Sequence, residues 1–229
     1  MVAMVAHPEV QKKAQAELDS VFGCTRLPTF ADFDRLPYLR AVIKETLRWR
    51  AIAPMSSPHR SREDDWYEGY FIPAGSVTIP NVWCMNLDPM VYGPDAHVFN
   101  PTRFLNEQGQ LTPILSGTKN EGHVNFGFGR LVSICLSILV RAWLLCRRIC
   151  PGRHIANNSL FIDCALMLWA MNIDTVKNAD GTMKLLDINR CQLDGLAVCL
   201  MVINISTGQK WTDGNINFNI FYKILIKFR

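Results

Sequence analysis

The chain has 229 residues, 49% of them apolar, and Lys and Arg outnumber Asp and Glu by 24 to 20. A net charge of +4 without a basic, aromatic-interleaved stripe argues against a nucleic-acid partner, and the length allows one sizeable core or two small ones. The eight cysteines (Cys24, Cys84, Cys135, Cys146, Cys150, Cys164, Cys191 and Cys199) follow no paired short-spacing pattern and no secretory leader precedes them, which favours a reducing compartment.

Pro8 to Phe22 reads as a helix. Pro8 suits the first helical position, Val10, Ala14, Leu18 and Phe22 share one face, and Gly23 stops it. After a polar connection containing Pro28, Asp32 and Asp34, Pro37 opens a second helix to about Arg50, with Leu39, Val42, Ile43 and Leu47 as its buried stripe. From Ala51 to Asn81, Pro54, Pro58, Pro73 and Pro80 with Gly69 and Gly75 break the chain into short strands and turns. Gly69 to Gly75 and Ser76 to Ile79 are expected to pair as a hairpin. Asn81 to Asn86 is a helix candidate, and Asp88 to Leu105 a Pro-punctuated connection with little regular structure. The apolar run Leu131 to Cys146 contains Arg141 and is shorter than the ~20 residues of a membrane span, so no anchor is expected in this chain. Pro151 to Asn172 forms a last helix, apolar on more than one face through Ile155, Leu160, Ile162, Leu166 and Leu168, and expected to be largely buried. Past Val198 the periodicity weakens.

Cys150 stands just before Pro151-Gly152 and a helix N-terminus, where the helix dipole and free N–H groups favour a thiolate able to ligate a metal. For a lone cysteine the competing reading is a buried structural thiol. The surroundings of Cys150 point to the first. Phe126-Gly127-Phe128-Gly129-Arg130 and Arg148-Ile149-Cys150-Pro151-Gly152-Arg153, joined, would read FGFGRRICPGR, which resembles the cysteine loop of cytochromes P450. That resemblance implies haem b with Cys150 as its thiolate ligand, Arg148 paired with one propionate and Phe126 packed beside the proximal face. Glu45 and Arg48 form an ExxR pattern, by itself an ordinary i, i+3 pair worth ~0.2–0.5 kcal/mol. Pro101-Thr102-Arg103-Phe104 is similar to the family's PxRF element. By resemblance, Arg103 joins Glu45 and Arg48 in a buried network that fixes the fold around the haem. His59, in Pro58-His59-Arg60, resembles the residue reaching the other propionate; a surface histidine is the competing reading. Glu63 to Gly75 looks like the family's next hairpin, and His123 reads as a loop histidine without a role.

The resemblance covers His7 to Gly129 and Arg148 to Val198, closest in wording to fungal members similar to O-methylsterigmatocystin oxidoreductase. It implies a mainly α fold with small β hairpins (α+β), the C-terminal haem-binding part of the P450 fold. Residues 1–198 would form this part, interrupted at 131–147, and residues 199–229 a divergent tail outside it. The interruption, LVSICLSILVRAWLLCR, is apolar and about 17 codons long, which suits a retained intron of about 51 nucleotides or, alternatively, a genuine surface insertion. The family's central helix, distal wall and membrane anchor would lie upstream, so weak haem binding is expected of the isolated chain.

The implied function is a haem-thiolate monooxygenase. It inserts one oxygen atom from O2 into a small organic substrate, takes electrons from an NADPH-dependent reductase, and in complete members sits at the cytosolic face of the endoplasmic reticulum membrane. No residue of this stretch is expected to be catalytic itself. One alternative is a non-catalytic, truncated or mis-spliced product without stable haem. A remote one is a zinc module using Cys146, Cys150 and His154, spaced by four, although Pro151 and Gly152 interrupt the helix it needs.

Overall fold

The computed structural model describes residues 2–23, 25–112, 121–127 and 149–175, together with strands at 203–205 and 224–228. Two compact units result. The first gathers Met1–Thr46, Phe99–Thr112 and His154–Arg229; the second gathers Leu47–Val98 and Pro113–Arg153.

The first unit opens with α1 (Val2–Ala6) and α2 (Pro8–Phe22). The expected apolar face of α2 is the buried one, with Ala14 and Leu18 fully enclosed. Gly23 ends the helix at φ +57°, its N–H returning to the carbonyl of Asp19, a left-handed conformation that glycine adopts without a Cβ penalty. A 3-10 helix, Phe30–Arg35, occupies the connection read as polar. Its signal was present in Thr29 and Asp32, three apart, which form a reciprocal capping box. Buried Asp32 also takes a two-pronged bond from Arg26 at 2.6 and 2.8 Å, and with Thr29 this holds its carboxyl well below the usual carboxylate range.

Helix α3 (Pro37–Trp49) buries Leu39, Val42, Ile43 and Leu47 as expected. Its first free N–H groups, of Tyr38 and Leu39, each donate to the Glu17 carboxylate at 2.8 Å. Burial nonetheless outweighs these bonds and raises the Glu17 carboxyl.

In the second unit the hairpin within Glu63 to Gly75 forms as the resemblance implied, but Gly69 to Gly75 and Ser76 to Ile79 do not pair with each other. β1 (His59–Arg60) pairs with β4 (Val77–Thr78), and β2 (Asp65–Tyr67) with β3 (Tyr70–Ile72), so one ladder is nested inside the other. The reason is local. Glu68 and Gly69 both take positive φ, +47° and +84°, the arrangement of a two-residue type I′ hairpin turn, and it closes β2 on β3. The later turn, in which Ser76 N–H reaches the Pro73 carbonyl with Gly75 at φ +86°, sends Val77 back to β1 instead.

Helix α4 (Val82–Asn86) starts where expected, with Asn81 accepting the Cys84 N–H as its cap. Residues 88–105 are more regular than expected: Asp88 caps α5 (Pro89–Tyr92), and Asn100 caps a 3-10 helix at Pro101–Phe104. Both carry Pro at the helix start, so these prolines begin helical turns.

The last helix is shorter than expected. α6 runs Arg153–Ala170, and Met171–Thr175 is a strand, β5, which contains Asn172. Nor is it buried all round: Phe161, Ala165 and Leu168 form its buried stripe, while Ile155 is 74% exposed. Two glutamines of α2 explain the change at Ala170. Gln15 donates to the carbonyls of Leu168 and Met171, capping the C-terminal end of α6, and Gln11 exchanges two bonds with the backbone of Ile173 as a neighbouring strand would. β5 then pairs antiparallel with β7 (Ile224–Phe228), which pairs in parallel with β6 (Ile203–Ile205). The tail thus contributes two strands to the first unit. The result is an α+β architecture, mainly helical with small sheets, as the sequence implied.

Candidate functional site

Within the second unit the sequence around Cys150 folds into a closed turn. Cys150 is exposed, and its N–H donates to the carbonyl of Phe126 at 2.7 Å. Its own carbonyl accepts from Arg153 N–H at 3.3 Å, which links the turn to the opening of α6. One glycine of the turn is required by its backbone conformation. Gly127, at φ +78°, bends the chain after Phe126, its N–H returning to Val124. Gly152 lies under the thiol, where an added Cβ would stand 3.7 Å from Sγ. Arg153 and Glu121 face each other at 3.6 Å across the turn.

Cys150 differs from the other free thiols among the described residues. Cys84 accepts a bond from Asn81 Nδ2 at 3.1 Å, and Cys164, half-buried on α6, has its thiol pushed up by burial, which disfavours a thiolate.

The charged motif residues divide between the units. In the first, Glu45 is wholly buried, and its Oε1 accepts from Arg103 Nε at 3.2 Å and from Asn100 N–H at 2.7 Å. In the second, Arg48 is 1% exposed and donates to the carbonyls of Asn86, Ala96 and Val98 at 2.8, 2.6 and 3.2 Å, with its guanidinium 5.0 Å from the Tyr92 ring. A planar fork with five donors suits such a fan of carbonyls; a lysine does not.

His59 is half-exposed on β1, opposite Thr78. Arg148 and Cys146 lie outside the described residues, as does the whole interruption at 131–147. For the zinc reading, Cys150 precedes the helix that would have aligned it with His154, and no group of three His, Cys, Asp or Glu among the described residues could hold a metal ion. Among the described residues, no helix is long and apolar enough to cross a membrane.

The sequence reading missed a buried polar cluster in the second unit. Asn86 is fully buried, accepts from Val124 N–H at 3.0 Å and donates to Asn125 Oδ1 at 2.7 Å; Asn125 in turn donates to the Leu47 carbonyl at 2.7 Å. His123 lies in a loop, as expected, but it is buried and partnered. It is 2% exposed, accepts Asn125 N–H at Nδ1, and its ring lies 5.2 Å from Phe126.

Known proteins agree with the motifs. The family model "Cytochrome P450" matches residues 1–136. A cytochrome P450 monooxygenase of Armillaria gallica is 53% identical over 195 residues, 85% of this chain and 34% of that protein. One from Postia placenta is 49% identical over 182 residues, covering 80% and 31%, and one from Amanita muscaria 43% identical over 207 residues, covering 79% and 37%. The chain belongs to the cytochrome P450 family. It spans about a third of the length of the curated relatives it matches.

Proposed function

We propose that this chain supplies the cysteine-ligand side of a haem-thiolate monooxygenase, in which Cys150 would hold the iron of haem b. The observation that carries the reading is the 2.7 Å bond from Cys150 N–H to the Phe126 carbonyl. It joins the two halves of the cysteine motif across the interruption and leaves the thiol exposed at the opening of a helix. The donor fits the group: a thiolate is a soft ligand for iron, and Cys150 is exposed.

In this reading Cys150 would hold the iron, Phe126 would pack beside the haem, and Arg148 and His59 would pair with its propionates. Glu45, Arg48 and Arg103 hold the surrounding fold and take no part in the chemistry. Bound haem would supply the activation of oxygen and the insertion of one oxygen atom into an organic substrate, the thiolate favouring O–O cleavage. The whole protein would draw electrons from an NADPH-dependent reductase at the cytosolic face of the endoplasmic reticulum membrane.

Residues 1–198 form the family portion in this reading, and 199–229 an added tail. The 17 residues from Leu131 to Arg147, set inside the cysteine motif, favour a second reading in which the polypeptide is a mis-spliced form that does not hold haem stably. One experiment separates the two. The chain is reconstituted with haem, reduced and exposed to carbon monoxide. The red-shifted Soret band of a thiolate-ligated haem, lost in Cys150→Ala, is expected if the site is competent. Its absence in the unaltered chain and its appearance after deletion of 131–147 would establish the second reading.

A further inference from the structure

We propose that the carboxamides of Asn86 and Asn125 form a clasp that sets the position of Cys150, which makes Asn86 a positioning residue for the thiolate. The inference rests on the haem-thiolate reading of Cys150.

The clasp is built from groups that admit one arrangement. The Leu47 carbonyl can only accept, so Asn125 turns its Nδ2 toward it, at 2.7 Å. That leaves Asn125 Oδ1 facing Asn86, which must present Nδ2, also at 2.7 Å. Asn86 Oδ1 is thereby aimed at Val124 N–H, which can only donate, at 3.0 Å. A flip of either amide would set donor against donor or acceptor against acceptor somewhere in the chain.

The surroundings fix both ends. The Asn86 carbonyl accepts from Arg48 at 2.8 Å, so the same residue is held through main chain and side chain. Tyr92 donates to the Gly122 carbonyl at 3.1 Å, and Asn125 N–H donates to His123 Nδ1 at 3.3 Å. Residues 122 to 125 are therefore tied down one after another, and the next carbonyl, that of Phe126, is the one that receives Cys150 N–H. Asn86 never approaches the thiol in this account. It fixes the strand of backbone from which Cys150 hangs, in a buried setting where an unmade bond is costly.

Asn86→Asp is the sharpest test, because Asp keeps the acceptor for Val124 but cannot donate to Asn125. Gln15→Ala is the control, since it removes buried hydrogen bonds from the first unit and leaves the clasp intact. Amide exchange is followed by NMR on the full chain, free of haem, and the ferrous–carbonyl Soret band is recorded at equal haem content. Asn86→Asp should speed exchange at the Cys150 amide about tenfold, in line with a lost buried hydrogen bond, and shift the carbonyl band away from its thiolate position. Gln15→Ala should do neither. Should Asn86→Asp fail to fold, Asn125→Ser, which shortens the clasp without adding charge, carries the same expectation. Unchanged protection at Cys150, or equal loss in Gln15→Ala, overturns the clasp. Absence of a thiolate-type band in the unaltered chain overturns the haem-thiolate reading instead, and the haem-free exchange data still decide the clasp.

Discussion

Removing the Glu45 carboxylate tests whether the ExxR glutamate is structural. Glu45 is wholly enclosed, and its Oε1 holds both Arg103 Nε and the Asn100 N–H that precedes the 3-10 helix at Pro101–Phe104. Glu45→Ala deprives a 9%-exposed guanidinium of its anion and leaves a backbone N–H without its acceptor. Breaking a buried pair from one side costs about 3–5 kcal/mol. The abandoned N–H adds about 1–3 kcal/mol, though the two costs overlap. The expected loss, about 4–6 kcal/mol, rivals the whole stability of a small domain. Glu45→Gln keeps an acceptor oxygen but not the charge, and should cost about half as much. Urea denaturation of the haem-free chain, followed by far-UV circular dichroism, gives both values. If both variants stay within about 1 kcal/mol of the parent, the pair is not what holds this part of the fold.

Two further outcomes follow from the geometry. The Asp32 carboxyl is held low by Arg26 first and Thr29 second, so its stabilisation is complete above about pH 4, the ordinary unfolded range, and is lost as pH falls toward the folded value. Asp32→Asn should therefore flatten the fall in Tm between about pH 4 and pH 2, and an unaltered slope would contradict the assignment. Deleting 131–147 brings Phe126 and Cys150 from 24 positions apart to 7, which lowers the closure cost of the loop by only about 1 kcal/mol. The deleted chain should take up more haem than its parent, and transcripts should join Arg130 to Arg148. Lower haem uptake, or spliced messages that all retain these codons, would mark the segment as a genuine insertion.

The parts of this fold that were legible in the sequence are those written in local periodicity. The stripes of α2 and α3 fell where spacing put them, and Pro8 and Gly23 marked their boundaries. Strand pairing was legible only in part: the resemblance marked the hairpin within Glu63 to Gly75, whereas the return of Val77 and Thr78 to β1 went unread, because it joins residues 17 and more positions apart. The switch from helix to strand after Ala170 depends on Gln11 and Gln15, more than 150 residues away. The site divides in the same way. Cys150 was legible from its setting before a helix N-terminus, and Phe126 only from the resemblance to a cysteine loop that residues 131–147 split in two. Asn86 and Asn125 are ordinary polar residues until folding brings them together from 39 positions apart. Arg48 was legible as a motif member, but its fan of three carbonyl acceptors was not, because backbone acceptors leave no mark on the residues that bear them.

X-ray absorption at the iron edge decides whether Cys150 holds the haem iron. Cys150→His is the informative partner, since it replaces the ligand without abolishing ligation. The haem-loaded parent should show one sulfur scatterer at the iron, and Cys150→His only nitrogen and oxygen. A parent without sulfur at the iron, or a sulfur that persists in Cys150→His, would contradict the assignment.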